Sequence, residues 1–311
     1  MSDIKLFRYT SSGASELAGV SALVEKQLQQ LIESQMETFL GVRFLATEYS
    51  TGKTHKGRID SLGLDENGCP VIIEYKRHIN ENVMTQGLFY LDWLLDHRAE
   101  FWKLVMDKLG KDEADKIEWS GTRLICIAAD FTRYDEHAVA LMPRNIELIR
   151  YKLFGNDLIL FEQVNSVSVV DASLTDSGNQ SHGAATSGAK SEPKTHADQL
   201  ASASPALLSL FEKLTSYTHS LGDDIQQKQL KLYVAFSRIK NFVCATLISK
   251  QDPHIRLWLK LDPDTVTLSE GFTRDVRKIG HWGTGDLEVI LRTEADLEKA
   301  KALIERCYQE N

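Results

Sequence analysis

Two acidic residues and a lysine have the types and spacing that metal-assisted chemistry needs. They are Asp60, Glu74 and Lys76, set in Gly57-Arg58-Ile59-Asp60 and Val71-Ile72-Ile73-Glu74-Tyr75-Lys76. Asn67-Gly68 between them signals a hairpin turn, because both residues tolerate positive φ. Ile59, Leu62 and Leu64 mark a strand before the turn, and Val71-Ile72-Ile73 is the β-branched run of a buried strand after it. The hairpin folds Asp60 back toward Glu74. Side chains alternate along a strand, so Glu74 and Lys76 share a face while Tyr75 points away.

Two neighbouring carboxylates repel, and burying them is costly unless a cation is present. A hard divalent ion resolves the conflict. Magnesium takes one or two protein carboxylates, keeps several waters and accepts phosphate oxygens. It also makes its water easier to deprotonate. Lys76 would orient that water or offset charge building on a phosphate. Together these groups describe metal-assisted phosphodiester hydrolysis. The plainer reading is a solvated sheet surface that happens to carry two acids and a lysine. The apolar run before Glu74 weighs against it, because a charge ending a buried strand is costly and usually has a task.

The elements that must position this cluster follow from periodicity. Apolar residues at helical spacing predict a helix over 21–40, and residues 42–49 read as a strand before the hairpin. Helices are expected at 81–96, at 99–109 (ended by Gly110) and at 132–141, with strands at 122–129, 146–152 and 157–164. This order predicts an α+β fold, a mixed central sheet flanked by helices, over residues 1–170. Residues 171–204 are rich in Ser, Gly, Ala, Asp and Thr and are expected to be a flexible linker. A smaller α+β domain is expected over 205–311, with helices at 207–221 and 296–308 and strands at 230–238, 242–249, 255–261 and 286–291.

Asp60 followed by Glu74-Tyr75-Lys76 resembles the D…(D/E)xK signature of the PD-(D/E)XK nuclease superfamily, and the surrounding text resembles its NucS-like (EndoMS) branch. The resemblance spans roughly half the chain, about residues 20–165. It departs from the family at Ile59, where a proline often precedes the aspartate. It implies a restriction-endonuclease-like fold and a magnesium-dependent endodeoxyribonuclease, with manganese able to substitute, active in DNA repair or in defence against foreign DNA. It implies that Asp60, Glu74 and the carbonyl of Tyr75 hold the ion and that Lys76 assists the attacking water. A helix glutamate completes that site in the branch. Glu25 fits it best, with Glu33 and Glu37 as alternatives on the same predicted helix. Gln86 matches the branch's downstream glutamine and shares a helix face with Tyr90 at i, i+4. Arg58, Arg77 and Tyr90 are the candidate DNA contacts, with His78 extending the basic stripe. Related nucleases often form homodimers. The C-terminal half resembles a bacterial domain labelled "predicted transport protein", through Arg274-Asp275-Val276 and Gly280-His281-Trp282-Gly283-Thr284-Gly285-Asp286.

Composition sets the limits. The net charge of −8 counts against a basic DNA clamp, and the deficit lies mostly in the first 170 residues. No apolar run approaches membrane-spanning length, so neither a membrane nor transport is expected. The start of the chain has no signal-peptide pattern, and the four cysteines form no CxxC pair, which makes the cytoplasm the expected compartment. Thr51-Gly52-Lys53-Thr54 looks like the tail of a phosphate-binding loop, but Thr47 stands where its first glycine belongs. Trp282 is expected to fill the second domain's core, as large aromatics usually do. Trp93, Trp102 and Trp119 are read as packing residues, and His55, His78 and His97 as solvated. The competing function is a non-catalytic module that binds nucleic acid or protein on the same fold. Titration with magnesium separates the two.

Overall fold

The computed structural model describes residues 4–20, 24–52, 56–76, 83–155, 157–167 and 194–311. The chain divides into two compact units. The first holds a seven-stranded mixed sheet flanked by helices, and the second a smaller six-stranded antiparallel sheet with helices.

In the first unit, β1 (Leu6–Thr10) and β2 (Gly13–Leu17) pair as a separate hairpin, and β3 (Gly19–Val20) joins the main sheet. Helix α1 (Glu25–Ser34) buries Leu28, Gln29 and Ile32. The single helix expected over 21–40 is broken at Gln35, and α2 (Met36–Leu40) follows, closed by Gly41 at φ 64°. Strands β4 (Val42–Ser50), β5 (Arg58–Asp65) and β6 (Pro70–Lys76) form an antiparallel meander. Helices α3 (Val83–Asp96), α4 (Arg98–Leu109) and α5 (Lys111–Ala114) then carry the chain to β7 (Arg123–Ala128), which runs parallel to β6. After α6 (Arg133–Leu141), β8 (Ile146–Phe154) adds in parallel to β7, and β9 (Leu158–Val167) returns antiparallel to β8.

The central strands are buried along their length. Every residue of β7 is buried, which is why Leu124-Ile125-Cys126-Ile127 reads as an unbroken apolar run. Helix α3 packs on β6 and β7. Gly87 permits that close approach, since a Cβ there would meet the Leu124 side chain at 2.5 Å.

The second unit takes in Glu66–Cys69 and Glu118–Gly121 besides the C-terminal part of the chain. Helices α7 (His196–Ser202) and α8 (Pro205–Ser220) precede β10 (Gln226–Gln229), β11 (Val234–Ser237), β12 (Asn241–Ile248), β13 (His254–Leu259), β14 (Thr273–Asp275) and β15 (Leu287–Leu291), and α9 (Glu294–Glu310) closes it. One face of its sheet forms the core with α8 and α9, through Leu210, Leu214, Phe236, Leu257, Val289 and Ile304.

Three further expectations need correction. Residues 196–202 fall within the expected linker but form α7, where Thr195 and Asp198 cap the helix reciprocally and His196 is buried. Trp282 is not the core tryptophan. It is 44% exposed, and Trp258, 1% exposed with His281 stacked on it, fills that role. His97 is half-buried rather than solvated, stacked on Trp93 with ring centroids 4.6 Å apart. His55, His78 and Arg77 lie outside the described residues. Among the described residues no helix is long and apolar enough to cross a membrane.

Candidate active site

The β5–β6 ladder runs from Leu64 paired with Pro70 to Ser61 paired with Ile73 and stops there. Beyond that point side chains take over from the backbone. The Asp60 N–H donates to Glu74 Oε1 at 3.1 Å, and the Tyr75 N–H donates to Asp60 Oδ2 at 3.1 Å. The two acids are thus clasped across the hairpin, each carboxylate receiving the other strand's backbone N–H. Glu74 has no solvent exposure, and Asp60 is half-buried.

That clasp leaves charge unbalanced. Burial pushes the Glu74 carboxyl up to about 9, helped by Asp60 beside it and opposed by the Asp60 N–H and by Lys76. Burial also raises Asp60, against the Tyr75 N–H and Lys76, while Glu48 and Glu25 raise it further. Glu74 Oε2 is buried and, among the described residues, accepts no hydrogen bond. A buried carboxylate oxygen without a donor is costly. A divalent ion bound by Asp60 and Glu74 would satisfy it, so the residues present fit such a group. Among the described residues no three His, Cys, Asp or Glu side chains converge to form a closed cage. An open site with two carboxylates is the way magnesium is commonly held, with water and phosphate as the remaining ligands.

The other expected residues fall into place unevenly. Lys76 ends β6, half-buried, and its charge favours ionisation of both acids. Glu25 is the first residue of α1 and lies near enough to Asp60 to raise it. Glu33 is engaged elsewhere: its Oε1 accepts from Ser61 Oγ at 2.7 Å and from Gln29 Nε2 at 2.9 Å. Glu37 stands on α2, beyond the break, so it does not share the helix of Glu25. The Tyr75 side chain is buried away from the acids, its hydroxyl 3.1 Å from Ser61 Oγ.

Gln86 and Tyr90 meet as their spacing requires, Gln86 exposed and Tyr90 buried. Gln86 Nε2 donates to Tyr90 Oη at 2.9 Å, and the Arg58 N–H donates to the same oxygen at 3.2 Å. Tyr90 is only 4% exposed, so it holds the start of β5 rather than offering its ring to DNA. Gly57 makes room for it, since a Cβ there would sit 2.4 Å from the Tyr90 ring. The Arg58 side chain is exposed and pairs with Glu48.

Two residues near the site were not expected. Glu48 is centred between the β4–β5 pairs Thr47–Ser61 and Tyr49–Ile59, which places it opposite Asp60. It has φ 51°, uncommon for a residue other than glycine, and also pairs with Lys26 at 2.8 Å. The Lys26 hydrogen bond, with Arg58 and Gln29 assisting, holds its carboxyl below the usual range against partial burial. Gln29, 4% exposed, reaches from α1 to the Asp60 carbonyl at 2.8 Å. The only sequence signal for it was its position beside Leu28 on the buried stripe of α1.

Three comparisons frame the chain. Residues 196–311 match the model of a domain of unknown function (DUF5655). An uncharacterized protein of Haemophilus influenzae is 26% identical over 312 residues, covering 99% of this chain and 100% of that one. A solved structure of an EndoMS–dsDNA2 complex aligns with 44% of this chain and 47% of its own at 21% identity, with a TM-score of 0.25.

Proposed function

We propose that this protein is a divalent-metal-dependent endodeoxyribonuclease that hydrolyses DNA phosphodiester bonds. The observation that carries the reading is the Asp60–Glu74 clasp beside Lys76, with Glu74 Oε2 buried and, among the described residues, without a donor. Asp60 and Glu74 would hold magnesium, or manganese in its place. The bound ion would supply a Lewis acid and screen phosphate charge. Lys76 donates a hydrogen bond to the attacking water or to a phosphate oxygen, stabilising negative charge as it develops. Glu25 adds negative potential on the α1 side and orients water there. Gln86 acts through Tyr90, fixing the backbone just before Asp60. Arg58, exposed at the strand's start, contacts the DNA backbone. The second unit selects or holds the substrate. Repair and defence against foreign DNA both need such an activity.

The test is incubation of the full chain with duplex, mismatched, branched and single-stranded DNA, with and without manganese. Metal-dependent cleavage of at least one substrate is expected, and Asp60→Asn, Glu74→Gln and Lys76→Ala should each remove it. Intact DNA throughout the panel, or cleavage that survives all three changes, overturns the reading.

A further inference from the structure

One buried polar group near the site has no explanation in helix packing. Helix α1 buries Leu28, Gln29 and Ile32, and the middle member of that set is an amide. Burying an amide is unfavourable unless its hydrogen bonds are replaced, and replacing them fixes its surroundings. Gln29 replaces them on both sides. Its Nε2 lies 2.8 Å from the Asp60 carbonyl, 2.9 Å from Glu33 Oε1 and 3.1 Å from Thr47 Oγ1. Its Oε1 accepts from Lys26 Nζ at 3.2 Å. It also helps Lys26 and Arg58 keep the Glu48 carboxyl low.

These partners come from α1, β4 and β5, and they converge where the β5–β6 ladder has stopped. Past Ser61–Ile73 no strand-to-strand backbone pairing with β6 fixes residue 60. The N–H of Asp60 is committed to Glu74 and its carboxylate to the Tyr75 N–H. The carbonyl of Asp60 is the remaining backbone group of that residue on this side, and Gln29 grips it. Glu33 in turn is tied to Ser61, the next residue of β5, whose hydroxyl also meets Tyr75. The network thus braces residues 60 and 61 from behind while their front carries the carboxylate pair.

We propose that Gln29 is a positioning residue for the metal site: it fixes the Asp60 peptide so that the Asp60 and Glu74 carboxylates are pre-aligned for one divalent ion. The inference rests on the reading of those two carboxylates as the metal site. Without the amide, the Asp60 carbonyl loses its side-chain donor and turns to water, the β4 pairs Thr47–Ser61 and Tyr49–Ile59 are left to hold the residue, and the ion must settle the pair when it binds. Misplacement of this order weakens metal sites and catalysis well before it unfolds a protein.

The experiment measures binding of manganese alone to the full-length protein, by electron paramagnetic resonance of free Mn²⁺, alongside thermal melting in metal-free buffer. Gln29→Met keeps the side-chain length and removes the donors. It is expected to weaken Mn²⁺ binding about tenfold, the size typical of an altered supporting shell. Gln29→Glu is near-isosteric and turns the donor into an acceptor facing the Asp60 carbonyl. It should weaken binding at least as much, and it serves if the methionine variant does not fold. Gln29→His restores one donor and should recover part of the affinity. Thr47→Val removes a different partner of the same amide. It should lower the melting temperature while leaving Mn²⁺ affinity within about twofold of wild type. Wild-type Mn²⁺ affinity in Gln29→Met, or a loss in Thr47→Val that matches it, overturns the positioning role alone. Unchanged Mn²⁺ affinity in Asp60→Asn overturns the metal site itself, and the role of Gln29 with it.

Discussion

Strand β5 carries a carboxylate near each end, Asp65 buried and Asp60 half-buried, and the two are treated in opposite ways. Asp65, at its C-terminal end, pairs with Arg123 of β7, which also meets Glu147 of β8 at 3.2 Å. All three side chains are at most 4% exposed. Asp60, toward the other end, faces Glu74, and among the described residues the half-buried Lys76 is the cation that bears on both. One acid pair has a guanidinium built into the sheet, a group that keeps its charge and offers a rigid fork of donors. Both ends keep a buried carboxylate oxygen without a donor among the described residues, Glu147 Oε2 at the first and Glu74 Oε2 at the second, so the guanidinium is what sets them apart. At this second end the cation that bears on both acids among the described residues is the lysine at the end of β6 rather than a guanidinium held between them.

The largest effects should fall on opposite properties at the two ends. Asp60→Asn or Glu74→Gln is expected to lower the metal-dependent cleavage rate by on the order of 1000-fold, through loss of the ion and of the charge stabilisation it brings. The fold should persist, as circular dichroism would show. Arg123→Met should do the reverse. It leaves Asp65 and Glu147 buried without their cation and costs about 3–5 kcal/mol of stability, read from urea unfolding. If Arg123→Met were well tolerated, or Glu74→Gln unfolded the protein, the two ends would not differ as described.

The next prediction concerns pH in metal-free buffer. The Glu74 carboxyl is raised to about 9 in the folded state from an ordinary value of 4.5. Below the lower value both states hold the proton. Between the two only the folded state holds it, so stability must fall as pH rises through that window. Glu74→Gln removes the titration. It should flatten that part of the profile and stabilise the metal-free protein by about 2 kcal/mol at pH 8, because folding no longer has to take up a proton at this residue. Manganese should stabilise wild type by about 2.7 kcal/mol at a hundredfold excess over its dissociation constant, and should not stabilise Glu74→Gln. A wild-type profile that rises with pH in the absence of metal would contradict the buried-acid account.

How much of this was legible in the sequence depends on which physical signal each residue carried. The clasp was visible because period-two alternation and a buried β-branched run are strong signals, and both survive in the structure. The turn is looser than Asn-Gly suggests: Gly68 has φ 76° while Asn67 stays at negative φ, and the ladder resumes only at Pro70. Gln29 was hidden among Gln27, Gln29 and Gln30, which differ only in the angle each takes around α1. Glu48 was hidden because a positive φ inside a strand leaves no trace in the residue type. Strand β10 was missed because Gln226-Gln227-Lys228-Gln229 has no apolar alternation. It is an edge strand held by β11, and edges need no buried face. Helix α7 had a readable signal in Thr195 and Asp198, which the polar composition around it masked. Trp282 failed the rule that large aromatics are buried because Trp258 already occupies that place.

The smallest expected effect lies at Tyr90. Tyr90→Phe removes one acceptor shared by the Arg58 N–H and the Gln86 amide. Neither donor is then trapped as a buried charge would be: Gln86 is exposed, and Arg58 starts its strand at the surface. Water can replace the lost oxygen, so the cost should be about 1 kcal/mol of stability. Cleavage should slow less than about tenfold, because β5 loosens two residues before Asp60 while the clasp itself stays made. Manganese affinity should stay near wild type. The ranking is therefore carboxylates first, then the peptide that Gln29 grips, then the strand end that Tyr90 steadies. A Tyr90→Phe protein that lost metal binding as completely as Asp60→Asn would mean that the hydroxyl stands in the ion's coordination shell, and the division between the acids that bind and the residues that brace them would have to be redrawn.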